Sequence, residues 1–140
     1  MPLYAPAGRT VSGLLDLRAR THGDKTFLTF LDAEFRPRAW TYREVQGRAN
    51  ALARALVDAG LRPGERAIVH LGNSPEFVFA FLALQRIGAV VVATNLKSAP
   101  DEMRYYAEHS EAVAVLTEGE HLPLFEALLP DLPLVRLRYV

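Results

Sequence analysis

The four histidines, His22, His70, His109 and His121, are the side chains of this 140-residue sequence best suited to carry protons or hold a metal. No two share the i,i+4 interval that puts two imidazoles on one helix face, and none pairs with a carboxylate at a known ligand interval. They read as surface or strand-end histidines, with no metal ligands among them. Gly8 and Gly13 have the spacing of the two glycines of a phosphate-binding loop, but Leu14-Leu15 stands where Lys and Ser/Thr would be needed. No G-x-G-x-x-G is present, and Ser12 before Gly13 is not framed as a nucleophile elbow. Asp101-Glu102 falls in a helix's first turn, where charge stabilises the helix itself. The sequence therefore offers no catalytic constellation. What remains is polar residues in turns after apolar runs: Asn73 and Ser74 in Gly72-Asn73-Ser74, and Asn95 and Lys97 in Thr94-Asn95-Leu96-Lys97-Ser98. A third such turn is Thr117-Glu118-Gly119. Two of these turns lead into helix N-termini, whose free amides accept a phosphate, although Asn73, Ser74 and Ser98 also suit plain helix capping.

The elements that would position these turns follow from composition and periodicity. Half the residues are hydrophobic and 23% are charged, which is a globular balance. Sixteen Lys and Arg cancel sixteen Asp and Glu, so there is no electrostatic footprint for nucleic acid. The absence of cysteine excludes disulfides and thiolate metal sites. Met1-Pro2-Leu3-Tyr4-Ala5-Pro6 lacks the basic flank and apolar run of a signal peptide. The longest apolar run, residues 77–84, is far short of the ~20 residues that span a bilayer. These features give the expectation of a soluble, cytoplasmic domain.

Residues 11–20 have a helical pattern with Thr10 as N-cap, and His22-Gly23-Asp24 reads as a turn. Residues 25–31 and a short segment ending near Trp40 form a β-hairpin pattern. Thr41-Tyr42-Arg43-Glu44 is a capping box, followed by an apolar stripe of Val45, Ala49, Leu52, Ala53 and Leu56, with Gly60 as the stop. Strand then alternates with helix. Residues 66–71 read as a strand, and a helix opened by Pro75 ends at Gly88. The apolar run 89–93 is expected to be a strand covered on both faces. Ser98 is expected to cap the helix opened by Pro100, and residues 112–117 form the next strand. A helix near residues 121–129 and a strand over 134–140 with one wet face complete the pattern. Parallel strands joined by crossover helices make an α/β, doubly wound, mostly parallel sheet with helices on both faces, after an N-terminal helix and short β-hairpin.

The order of motifs resembles the opening of AMP-forming acyl-CoA synthetases, within the adenylate-forming superfamily. The residues that carry the likeness begin with Asp24-Lys25-Thr26-Phe27-Leu28 and Trp40-Thr41-Tyr42-Arg43-Glu44-Val45. They continue through residues 59–67, Asn73-Ser74-Pro75-Glu76-Phe77, residues 85–92, Asn95 and Glu102. The resemblance implies an enzyme that joins a carboxylic acid to ATP, giving an acyl-adenylate and pyrophosphate, after which coenzyme A displaces AMP. It implies ATP, magnesium and coenzyme A as the parent's cofactors. It also implies that residues 1–140 are the N-terminal subdomain, cut before the phosphate-binding loop, inactive alone and partnered by the remainder of the synthetase. Two departures stand out: Ala93 occupies a position where the family commonly has Pro, and Lys97 one where it often has Arg. Lys97 keeps a positive charge near the region that can face coenzyme A phosphates but loses Arg's two-pronged geometry.

Two other classes fit the same residues: a free-standing small-ligand or nucleotide-binding module using the strand-end turns, and an interaction domain. The helix over residues 77–84 is apolar all round and needs cover on every side. On that ground the isolated chain is expected to self-associate.

Overall fold

A computed structural model describes residues 10–139. The motifs at Met1 to Pro6, and Gly8, lie outside the described residues. The first helix, α1 (Val11–Thr21), starts where Thr10's side chain accepts a hydrogen bond from the Gly13 amide. A hairpin follows, β1 (Thr26–Leu31) antiparallel to β2 (Pro37–Thr41). Its turn is held by Asp32, whose carboxylate accepts from the amides of Glu34 and Arg36, while Phe35 takes the left-handed conformation at φ 59°. The capping box forms as the sequence implies, opening α2 (Tyr42–Asp58): the Thr41 hydroxyl accepts from the Glu44 amide, and Glu44 accepts from the Thr41 amide at 2.7 Å.

The second half is the parallel sheet: β3 (Arg66–His70), α3 (Pro75–Ile87), β4 (Val90–Ala93), α4 (Pro100–Ser110), β5 (Ala114–Thr117), α5 (Leu122–Leu128) and β6 (Leu137–Tyr139). Strand order is β4-β3-β5-β6, with all three ladders parallel. Alternating side chains send β3 to two cores. Ala67 and Val69 join Leu56, Ala80, Ala83 and Leu84 on the α2/α3 face, whereas Ile68 joins Met103, Ala107 and Phe125 on the α4/α5 face. Helices therefore cover both faces, as a doubly wound sheet requires. A third cluster, built around Leu15, Trp40, Val45, Phe79 and Leu82, fastens α1 and the hairpin to α2 and α3.

Several expectations need correction. The run 89–93 is an edge strand with partial cover on both faces: β4 pairs only with β3 among the described residues and Val90 is 48% exposed, while Val91 packs against the α2/α3 core and Val92 against the α4/α5 core. Ser98 does not cap α4. The cap position is Ala99, which has no side-chain oxygen, and Glu102 reaches back to the Ala99 amide at 2.7 Å. The last strand is shorter than residues 134–140, because Pro133 and Leu134 lie in a turn. On α3, Phe79, Leu82, Ala83 and Leu84 are buried and Phe77, Val78 and Phe81 are half-buried, so the helix finds most but not all of its cover within the chain.

Candidate functional site

The sheet order decides where a ligand could sit. From the central β3 the chain crosses by α3 to β4 on one side; β5 lies on the other side and leads into α5 on the opposite face. The turns leaving β3 and β5 thus diverge, and a crevice opens between their carboxyl ends. This is the switch point at which open α/β sheets bind ligands. A hydrogen bond spans it: the Gly72 amide donates to Glu118 Oε1 at 2.7 Å. On the α2/α3 side the crevice widens into an open groove of about 580 Å³, lined by Leu52, Leu71, Ser74, Glu76, Leu116 and Glu118.

On the α4/α5 side stands His70, wholly buried at the end of β3. Its Nδ1 lies 2.9 Å from the Thr94 hydroxyl. The His121 ring meets it edge-on at 5.1 Å between centroids, and Phe125 does the same at 5.3 Å. Burial, foremost, holds the His70 pKa below its ordinary value; His121 adds to the depression, and the Glu118 carboxylate pulls the other way. Nε2 of His70 and Nε2 of His121 are both buried without a hydrogen-bond partner among the described residues. Glu120 Oε1 approaches the latter to 3.3 Å without forming a hydrogen bond. The ligand atoms of Glu118, Glu120 and His121 lie within 4.8 Å of one another.

The residues singled out from sequence are split by this geometry. Ser74 caps α3, its hydroxyl accepting from the Phe77 amide at 3.3 Å, and it also lines the groove. Asn73 is exposed beside it. Asn95 folds its own loop, its side-chain oxygen accepting from the Lys97 amide at 2.9 Å, and the Lys97 side chain is exposed. None of the four meets the histidine pair in a hydrogen bond. Sequence reasoning missed His70, Thr94, Glu118 and His121 as a group. Periodicity could not bring them together, since they come from three separate strand ends; only the run Glu118-Gly119-Glu120-His121, dense in donors, was a visible signal.

The crevice suits some ligands and not others. Its polar rim is carboxylate and imidazole, and no Lys or Arg lines the groove. A triphosphate and its magnesium need cationic side chains or a glycine loop around the phosphates, so the described residues do not fit ATP.

The fold is a parallel α/β sheet with a crevice at the carboxyl ends of β3 and β5, and no Lys or Arg lines its groove among the described residues. Residues 15–139 match the family described as "AMP-binding enzyme", and the chain belongs to that family as an N-terminal portion of an adenylate-forming enzyme. Crotonobetaine/carnitine–CoA ligase of Salmonella paratyphi B is 29% identical over 124 residues, covering 89% of this chain and 24% of that protein. Among solved structures, the anthranilate CoA ligase AuaEII bound to anthranoyl-AMP superposes with a TM-score of 0.85 at 28% identity, over 96% of this chain and 25% of that one. MbtA of Mycobacterium smegmatis gives 0.84 at 31% identity, over 94% and 24%. The chain thus spans about a quarter of the length of these relatives.

Proposed function

We propose that this chain is the N-terminal scaffold of an AMP-forming acid–thiol ligase, and that residues 1–140 are a subdomain ending before the phosphate-binding loop. The observation that carries this reading is the match over residues 15–139, in company with relatives that are CoA ligases. The whole enzyme would use ATP, magnesium and coenzyme A to convert a carboxylic acid to its acyl-CoA, in the cytoplasm. The sheet supplies a rigid floor, and the remainder of the ligase would close over the groove and the bare β4 edge. Lys97 is the residue of this portion that would meet the phosphates of coenzyme A, and Asn95, Asn73 and Ser74 are its other candidates for binding substrate or cofactor. They lie on the turns at the carboxyl edge, and Lys97 is the exposed cation among them. Until covered, the β4 edge would pair with a second copy, because an unpaired strand presents free amides and carbonyls.

The test is a chimera. This chain replaces the corresponding segment of the crotonobetaine/carnitine–CoA ligase, and AMP release is followed with ATP, coenzyme A and acid. The chimera is expected to turn over while the isolated chain gives no AMP above blank. Turnover by the isolated chain at an ordinary enzyme rate would refute the scaffold role.

A further inference from the structure

Where α1 turns into β1, four side chains line a small open cavity of about 260 Å³: Arg18, His22, Lys25 and Tyr42. Their backbones are linked in one series of hydrogen bonds. The His22 amide donates to the Arg18 carbonyl at 2.8 Å, the Lys25 amide to the His22 carbonyl at 3.0 Å, and the Tyr42 amide to the Lys25 carbonyl at 3.0 Å. That frame holds the four residues together before any ligand arrives. Among the described residues, the side chains of Arg18 and Lys25 have no hydrogen-bond or ion-pair partner. The acids nearest in sequence are engaged elsewhere, Asp16 by Gln46 and Arg86, and Asp24 by Arg43 at 3.5 Å. A helix C-terminus favours a cation in its last turn, which accounts for Arg18 but not for Lys25, beyond the helix.

An apolar groove of about 240 Å³ adjoins this cavity and shares Arg18 and Tyr42 with it. Its other walls are apolar, with buried Leu15 and Leu82 and the more exposed Leu14 and Phe27 among them. The Phe27 and Tyr42 rings meet at 4.8 Å between centroids where groove and cavity join. We propose that the two form one binding site for an amphiphilic phosphate monoester, its phosphate between Arg18 and Lys25 and its alkyl chain along Leu14 and Phe27. Two unpaired positive charges match a phosphate dianion: the guanidinium can take two oxygens side by side, and the lysine adds a point charge. Side by side the cavities reach the roughly 300–1,000 Å³ of small-molecule sites, which neither does alone. The site is built from α1, β1 and the start of α2, uses nothing of the crevice between β3 and β5, and stands independently of the ligase reading.

The experiment titrates the 140-residue chain by calorimetry with decyl phosphate below its micelle concentration. Saturation at one equivalent is expected. Inorganic phosphate, which lacks the chain, and decyltrimethylammonium, which carries the wrong charge, should each bind at least about tenfold more weakly. R18Q and K25Q should each weaken decyl phosphate by about tenfold, and L14Q should weaken it too, while R54Q leaves it unchanged. Arg18, Lys25 and Leu14 are exposed, so the circular dichroism of these variants should match that of the parent chain. Absence of saturable binding overturns the proposal. So does binding that survives R18Q and K25Q together, or decyltrimethylammonium binding as well as decyl phosphate. Capture by phosphatidic acid vesicles without binding of monomeric decyl phosphate also overturns it, since the surface would then meet a membrane and hold no single ligand.

Discussion

At the scale of single residues, the polar contacts that matter for stability tie distant segments together. Asp16 on α1 accepts from Gln46 on α2 at 2.7 Å and from Arg86 on α3, so one carboxylate joins three helices. The Arg86 hydrogen bond, then Gln46, holds the Asp16 carboxyl below its ordinary value of 3.8. Since the folded pKa is depressed, the stabilisation is complete above 3.8 and is lost as pH falls below it through the folded value. Asp16→Asn should lower stability by about 1–2 kcal/mol at pH 7, a charged hydrogen bond discounted for the pair's partial exposure. Urea melts at pH 7 and at successively lower pH check this: the gap from the parent chain should close in acid. Thr41→Ala should cost about 1 kcal/mol by removing one half of the capping box, measured in the same melts. The capping box was legible from four adjacent residues. The Asp16 junction was not, because its partners lie 30 and 70 positions away in sequence.

Secondary-structure elements were read well where the signal was local and less well where it depended on neighbours. The stripe of α2 and the left-handed Gly88 that ends α3 follow from spacing and from glycine's freedom at φ 79°. The place of β4 in the sheet was not legible, since a run of Val and Ala is written alike for a strand inside a sheet and for one at its margin; pairing partners decide between them. Packing is tightest where α2 and α3 press on the sheet. Leu84 is 0% exposed there, so Leu84→Ala should cost about 2–5 kcal/mol, read as a lower urea midpoint with an unchanged slope. At Gly23 a β-carbon would lie 2.6 Å from the Ala19 carbonyl oxygen, a backbone atom that cannot swing aside. Gly23→Ala should therefore loosen the junction of α1 and the hairpin, costing about 1–3 kcal/mol, seen as a lower melting temperature.

For the whole molecule, the bare surfaces set its behaviour in solution. No helix among the described residues is long and apolar enough to cross a membrane. Apolar side chains nonetheless remain exposed at the margins, among them Val90 on the β4 edge and Leu14 and Leu17 on α1. If edge pairing drives association, Val90→Lys should shift the chain toward monomer by light scattering, because a charge on an open edge discourages a further strand. Association unchanged by V90K would place the contact elsewhere.

Periodicity, caps and turn residues determined the elements, their alternation and the doubly wound class, because each is set by interactions within a few positions of the chain. The motif order also disclosed the family. Only the tertiary structure decided that β3 and β5 are neighbours with β4 at the margin, and hence that His70, Thr94, Glu118 and His121 share one crevice. Strand order arises from long-range packing, and no local pattern encodes which strand ends will meet.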